Sequence, residues 1–245
     1  MAIGGFIVTG TGTKNVIIRG IGPSLSTAGV PDALADPTLE LRASNGDLIF
    51  ANDDWQEDAT QAGQISDANL APQNPKESAI AANLSAGGAY TAILAGKNQT
   101  SGVGLVEIYD INPAVNAQLG NLSTRGLVHT GTDVMIGGFI LGQTNGSSRV
   151  VVRGIGPSLA GIGLSPVLED PTLELHDSNG ALLVANNDWA DDPLTASQLN
   201  FLGLAPSDSH ESGIYQSLSP GLYTAILAGN SGGTGIGVVE VYNVQ

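Results

Sequence analysis

The most constraining feature of this chain of 245 residues is that parts of it are written twice. Three segments recur unchanged, in the same order and at nearly the same spacing. This pattern predicts two similar domains, the first over residues 1–113 and the second, with a linker, over 114–245. A residue kept in both copies is expected to serve folding first, or to belong to a site that is present twice. The segments are RGIGPSL at 19–25 and 153–159, DPTLEL at 36–41 and 170–175, and YTAILAG at 90–96 and 223–229.

Short β-rich runs between turn signals fill each copy. Thr38–Arg42 alternates polar and apolar residues, which is typical of a half-buried strand. Ser44–Gly46 and Ser178–Gly180 contain the Asn-Gly pair of a tight hairpin turn. Roughly seven such runs in each copy predict an all-β fold of two tandem antiparallel β-sandwich domains related by internal duplication. The best helix candidates are residues 59–70 and 194–204, at equivalent places in the two copies.

The linker predicts an asymmetry between the two copies. Residues 112–134 join them, and 122–129 has the pattern of an extra strand that leads into the second copy. The first copy has no counterpart, so we expect it to lack its first strand and to carry an open sheet edge. The linker, a neighbouring molecule or neither is expected to cover that edge. Cover by a neighbour would be self-association by strand addition, which builds head-to-tail chains.

Composition narrows the classes of function. The formal net charge is −15, with 23 acidic and 8 basic residues, which argues against nucleic acid and anionic membranes as partners. The chain has no cysteine, so disulfides and thiolate metal sites are excluded. Its apolar runs are too short to insert into a membrane, and its start lacks the features of a signal peptide. We expect a secreted or cell-surface protein whose signal peptide is absent from this chain.

Acidic and amide side chains converge at one place in each copy. Asn52-Asp53-Asp54 follows a predicted strand, and Asp36 opens the DPTLEL strand beside it. Oxygen side chains on one loop, joined by a carboxylate from a neighbouring strand, match the ligand set of calcium. The second copy offers Asp170, Asn186, Asn187 and Asp188. The alternative is that these side chains cap the loop backbone, since the dense spacing of an EF-hand is absent.

The two tryptophans, Trp55 and Trp189, stand directly after these loops. An exposed indole beside acidic groups stacks well on a sugar ring, which would suit a carbohydrate-binding module. The structural alternative is a plug at the open end of the sandwich, with the indole N–H bonded to a carbonyl.

Arg19 and Arg153 are the only basic residues held in both copies. They predict a structural ion pair or carbonyl clamp, with Asp36, Glu40 or Glu77 and their equivalents as partners. An anion site is the alternative.

The residue pattern gives catalysis little support. None of the three histidines has a histidine at the matching position of the other copy, which excludes a duplicated catalytic triad or histidine metal site. The Gly-Ile-Gly-Pro turn that follows Arg19 lacks the third glycine of a dinucleotide-binding loop. Paired carboxylates of a glycoside hydrolase stay open as a further alternative.

Five short elements in each copy carry a resemblance to a known family. In the first copy they are Asp36–Leu41, Ser44–Gly46, Asn52–Asp54, Glu77–Ile80 and Gly88–Thr91, and in the second Asp170–Leu175, Ser178–Gly180, Asn186–Asp188, Glu211–Ile214 and Gly221–Thr224. Together they resemble the pre-peptidase C-terminal domain of secreted bacterial proteins. The resemblance implies a jelly-roll-like β-sandwich, a secreted accessory module and calcium at the loop residues named above.

These expectations combine into one functional hypothesis with two alternatives. The chain is expected to be a non-catalytic extracellular structural or adhesive module, a surface or filament subunit with calcium-stabilised loops. Its expected partners are further copies of itself, a polysaccharide or a surface protein. A carbohydrate-binding module that uses Trp55 and Trp189 is the first alternative, and a glycoside hydrolase is the second.

Overall fold

The computed structural model describes residues 1–142 and 146–244, which divide into two compact units, Met1–Gly120 and Asn121–Gln245. Unit 1 includes the first part of the linker, which is hydrogen-bonded to its strands. Asn15 donates its backbone N–H to Asn112 Oδ1 over 3.0 Å, and Thr9 Oγ1 donates to the Gln118 carbonyl over 3.3 Å. No helix in the described ranges has the length and apolar character needed to cross a membrane.

Unit 1 is built from two antiparallel sheets. One has the strand order β1-β6-β3-β4 and the other the order β5-β2-β7. Its elements are β1 (Ala2–Thr9), β2 (Thr13–Ile21), β3 (Pro37–Ala43), β4 (Leu48–Asn52), α1 (Ala59–Asp67), β5 (Ser78–Ser85), β6 (Ala89–Gly96) and β7 (Leu105–Asp110), with short 3-10 helices at Pro23–Ala28 and Lys97–Gln99.

Unit 2 has four strands in each of its two sheets. Their orders are β8-β15-β10-β13 and β9-β14-β11-β12, all antiparallel. This alternation of eight strands between two sheets is the jelly-roll arrangement. The elements are β8 (Gln118–Val128), β9 (Met135–Leu141), β10 (Ser148–Ile155), β11 (Pro171–Asp177), β12 (Leu182–Asn186), α2 (Pro193–Phe201), β13 (Ser212–Leu218), β14 (Gly221–Gly229) and β15 (Gly235–Asn243), with 3-10 helices at Pro157–Ile162 and Asn230–Gly232.

The all-β antiparallel prediction is therefore confirmed, and both helix candidates are helices. Within the described residues, unit 1 has the strand order of unit 2 without an equivalent of β8, so its second sheet ends at β7. Helix α1 begins at the cap Asp58, whose carboxylate accepts the N–H groups of Thr60 and Gln61. Its Ile65 packs on the outer face of this sheet, against Ile17 and Ala79.

The repeated segment GIGPSL has a packing reason. A Cβ built on Gly22 would lie 2.2 Å from the Leu34 carbonyl oxygen, and one on Gly156 would lie 1.9 Å from that of Leu168. No side chain fits at either position, because real Cβ atoms do not approach an oxygen so closely. The glycine is required by the close approach of two backbone segments, and this requirement is the same in both units.

Candidate functional site

The start of β5 fixes the loop that follows β4. Ala79 donates its backbone N–H to Asn52 Oδ1 over 2.8 Å, and Asn52 Nδ2 donates to the Asp54 carbonyl over 3.0 Å. Trp55 donates its backbone N–H to the Glu77 carbonyl over 2.9 Å. Both Oδ1 and Nδ2 of Asn52 are thus hydrogen-bonded to backbone groups. We assign it to loop positioning, which is the capping role that the sequence left open.

The fixed loop brings three carboxylates together in unit 1. Asp36, Asp53 and Asp54 each offer one oxygen, and these oxygens all lie within 4.8 Å of one another. The Oδ1 atom of each is shielded from solvent and has no hydrogen-bond partner among the described residues. A shielded carboxylate oxygen without a donor is unfavourable, and three such oxygens in one cluster need an explanation.

Two lysines lie at the edge of this cluster. Lys97 Nζ forms an ion pair with Asp53 Oδ2, and Lys76 Nζ lies 3.6 Å from Asp36 Oδ2. The hydrogen bond to Asp53 raises the pKa of Lys97, with the charges of the three carboxylates acting in the same direction. The lysines contact the Oδ2 atoms, so they leave the Oδ1 atoms without a donor. An open depression of about 340 Å³ adjoins Asp54.

Unit 2 repeats the arrangement with different neighbours. The Oδ1 atoms of Asp170, Asn187 and Asp188 are again shielded and, among the described residues, again without a partner. Asn230, which stands where unit 1 has Lys97, donates from Nδ2 to Asp170 Oδ2 over 2.8 Å. Asn186 holds its loop as Asn52 does, with bonds of 2.8 and 3.0 Å. The lone oxygens therefore belong to the loop geometry and do not depend on the lysines.

This donor set fits a divalent cation. Carboxylate and amide oxygens are the hard ligands that calcium takes, usually six to eight of them with water and backbone carbonyls included. Unit 1 offers three carboxylates, and unit 2 offers two carboxylates and the amide oxygen of Asn187. An amide carbonyl is also a calcium ligand, so the exchange of Asp53 for Asn187 preserves the chemistry while lowering the charge. In unit 1, where one oxygen of each carboxylate lies within 4.8 Å of the others, a bound cation would have three ligands within reach.

The two tryptophans differ in their burial and in their hydrogen bonding. Trp55 is only 9% exposed and packs with Ile17, Ile65 and Ala79 beneath α1. Trp189 is half-buried, and its Nε1 donates to the Asp208 carbonyl over 3.1 Å. Trp55 fills the space between α1 and the sheet and presents almost no ring face to a ligand. Its Nε1 has no hydrogen-bond partner among the described residues, so only Trp189 makes the expected bond to a carbonyl.

Arg19 lies on the outer face of the β5-β2-β7 sheet and has three hydrogen-bond partners. It donates from Nε to Glu107 over 2.7 Å, from Nη1 to the Leu70 carbonyl over 3.1 Å and from Nη2 to the Tyr109 hydroxyl over 3.1 Å. Arg153 makes the same contacts with Glu240, the Leu204 carbonyl and Tyr242. The carboxylate partner is therefore Glu107, and the expected partners Asp36, Glu40 and Glu77 were wrong.

The arginine cluster is an ion pair stacked on an aromatic ring. The Arg19 guanidinium lies 5.1 Å from the ring centroid of Tyr109, and Arg153 lies 5.2 Å from that of Tyr242. Burial raises the pKa of the Tyr109 phenol, and the charge of Glu107 adds to the effect. With its donors directed to Glu107, Leu70 and Tyr109, the guanidinium acts as a structural clamp rather than as an anion site.

Sequence reasoning missed the role of the buried carboxylates Glu77 and Glu211, both 0% exposed. Glu77 Oε1 accepts the N–H groups of Gly22 and Ser24 over 3.2 and 2.9 Å, as well as the Ser24 hydroxyl. Glu211 accepts the matching groups of Gly156 and Ser158. The sequence does contain a sign of this role, since a Glu-Ser pair stands at the start of the same strand in both copies.

A cavity of about 210 Å³ in unit 2 has Glu211, Glu240, Arg153 and Ser158 among its lining residues. Two carboxylates in a cleft are the requirement of a glycoside hydrolase. Here Glu211 accepts three hydrogen bonds and Glu240 is paired with Arg153 over 2.5 Å. Both carboxylates are thus bonded to other groups of the fold.

The chain matches no family model and no curated protein. The resemblance to the pre-peptidase C-terminal domain therefore stays a prediction from sequence. Function has to be inferred from the residues of the site itself.

Proposed function

We propose that the protein is a non-catalytic structural or adhesive module of the cell surface or extracellular space, a surface or filament subunit whose acidic loops are tightened by calcium. One observation carries the proposal: three Oδ1 atoms at matching positions of each unit are shielded and lack a hydrogen-bond donor among the described residues. Unpartnered oxygens at matching positions of two loops favour one kind of ligand that binds both loops.

Charge and architecture support this function. The net charge of −15 suits a protein that works in solution rich in divalent cations, where calcium lowers the repulsion between carboxylates. Antiparallel sandwiches are rigid scaffolds, and rigid scaffolds display loops. Calcium sites of extracellular modules have dissociation constants of about 10⁻⁴ to 10⁻³ M, in the range of calcium outside cells.

The test is thermal unfolding of the full chain in 10 mM calcium and in chelator. At free calcium of ten to a hundred times Kd, binding stabilises the folded unit by about 1.4–2.7 kcal/mol. For units of this size, that corresponds to a rise in Tm of roughly 5–10 °C. Sodium chloride at equal ionic strength is the control, because screening alone stabilises a chain with a large net charge.

Variants separate a specific site from general screening. The double variant Asp54→Ala, Asp188→Ala removes one ligand oxygen from each loop, and we expect it to lose most of the calcium response. The matched control Asp53→Asn gives unit 1 the amide that unit 2 already has at Asn187. It should keep the response. A calcium shift no larger than the sodium shift, or an equal shift in all variants, would refute the proposal.

A further inference from the structure

Strands β7 and β15 are equivalent in the two units, but in the part of the chain that the structure describes only β15 has a strand paired with its outer edge. The two strands have the related sequences GLVEIY at 104–109 and GVVEVY at 237–242. Strand β7 pairs with β2 so that Ile18 lies opposite Ile108, and β15 pairs with β10 so that Val152 lies opposite Val241. The two strands therefore hold the same place in their units, each beside the central strand of its sheet.

The outer edge of β15 is covered. Strand β8 pairs with it antiparallel, from Asn121 opposite Tyr242 to Val128 opposite Gly235. Alternate residues of β8 face the core, where Val128 is completely buried and Leu122 packs against the same cluster. As a result, Val239 on β15 is only 1% exposed.

The outer edge of β7 has no such cover within unit 1. Across the described residues, β7 pairs with β2 alone. Val106, at the place of Val239, is half-buried, and Leu105 is 41% exposed. A Cβ on Gly237 would lie 3.4 Å from Val128, whereas the nearest groups to Gly104 are Leu94, Leu34 and the Ile21 carbonyl oxygen. Nothing in unit 1 takes the place of Val128.

We propose that the edge of β7 is the acceptor for an extended strand of the Asn121–Val128 type. The incoming strand runs antiparallel to β7 in the register that β8 has on β15. Its counterpart of Leu122 then lies opposite Ile108, and its counterpart of Val128 lies opposite Gly102. In strand addition, main-chain hydrogen bonds supply affinity and alternate side chains supply specificity.

Charge favours this occupant over a second β7. Two β7 strands paired edge to edge would bring their Glu107 carboxylates to the same face of the new sheet, in a chain of net charge −15. A β8-type strand instead places serine opposite Glu107 and arginine opposite Leu105, as Ser123 and Arg125 lie opposite Glu240 and Val238. The arginine is then a diagonal neighbour of Glu107, and its stem covers the exposed Leu105.

The experiment uses the full chain and a synthetic peptide of residues 118–128, QLGNLSTRGLV. We expect one peptide to bind each chain. At free peptide of one hundred times Kd, amide exchange along the β7 edge should slow roughly 100-fold, since about 1% of the chains stay free. The amides of β15 are the internal control, because β8 already covers that strand. The inference does not rest on the cation site, so binding should be equal with calcium and with chelator.

Two peptides methylated on alternate backbone nitrogens test the mode of binding. Strand pairing uses only every second N–H of the added strand, so one methylated peptide should bind and the other should not. Equal binding of both would overturn the proposal. Protection, without any peptide, of the β7 amides that point away from β2 would also overturn it, since the edge would already be covered. A concentration-dependent dimer with protected β7 amides would replace the proposed occupant with a second copy.

Discussion

Removal of the Glu77 carboxylate tests whether the repeated residues serve folding. The side chain is 0% exposed, and its Oε1 accepts from the Gly22 N–H, the Ser24 N–H and the Ser24 hydroxyl. Its Oε2 accepts the Asn74 N–H over 3.2 Å. Each buried donor left without an acceptor costs about 1–3 kcal/mol. Because water reaches the half-buried Ser24 and Asn74, we expect Glu77→Ala to lower the free energy of unfolding of unit 1 by about 3–5 kcal/mol.

The conservative variant separates hydrogen bonding from charge. Glu77→Gln keeps one oxygen for Gly22 and Ser24 but turns an amide N–H₂ towards the Asn74 N–H. We therefore expect a smaller loss, about 1–2 kcal/mol. Urea unfolding measures both variants, and a Trp189→Phe background leaves Trp55 as the fluorescent reporter of unit 1. Glu57→Ala, an exposed site, should change stability by less than about 0.5 kcal/mol.

The expected order of stability is wild type, then glutamine, then alanine. Glu211→Ala should repeat the result in unit 2, since it accepts the same three groups there. If the free energy of unfolding of Glu77→Ala lies within about 0.5 kcal/mol of the wild-type value, the reasoning is wrong. Removal of a buried carboxylate that accepts four hydrogen bonds should cost more than that. Equal losses for alanine and glutamine would show that charge rather than hydrogen bonding holds the turn.

Three further predictions concern other polar groups of the fold. Arg19→Lys should lower the free energy of unfolding in urea by about 1–2 kcal/mol. A lysine ammonium keeps the ion pair with Glu107 but loses the contact with the Tyr109 ring and the bond to the Leu70 carbonyl. An unchanged free energy of unfolding would refute the clamp. Lys14 is completely buried against Asp110, which is 27% exposed. Lys14→Ala should lower the free energy of unfolding by about 2–3 kcal/mol, because it leaves the Asp110 carboxylate without its ion-pair partner. Addition of Asp110→Asn to this variant should recover part of the loss if the ion pair is the cause. Hydrogen bonding to Glu174 raises the pKa of His176, so an NMR titration should give a value above 6.5 that falls in Glu174→Gln. The stabilisation from this pair is complete below pH 6.5 or so and is lost as pH rises through the raised pKa.

Local signals predicted most of the strands. The alternation of Thr38–Arg42 and the turn at Ser44–Gly46 match β3 and the hairpin to β4, because period and turn chemistry act over a few residues. The segment 122–129 forms most of β8 for the same reason. Both helices also lie where weak periodicity placed them, although each ends three residues early. Strands, turns and helices that depend on neighbouring residues could therefore be predicted from the sequence.

Partners that lie far apart in the chain could not be predicted. Arg19 and Glu107 are 88 residues apart and meet because β2 pairs with β7, a pairing that no local pattern specifies. The distinction between Asn52 and Asp54 was also hidden. The loop uses the amide for the backbone and leaves the carboxylate without a donor. Spacing identified the loop, and only the fold assigned the roles within it.

The most direct test of the cation site is a crystal structure from crystals grown in millimolar calcium. The proposal predicts an anomalous peak about 2.3–2.6 Å from oxygens of Asp36, Asp53 and Asp54, and a second peak at Asp170, Asn187 and Asp188. A water molecule or the Lys97 ammonium at the centre of the first cluster, with no ion in the second, would contradict it.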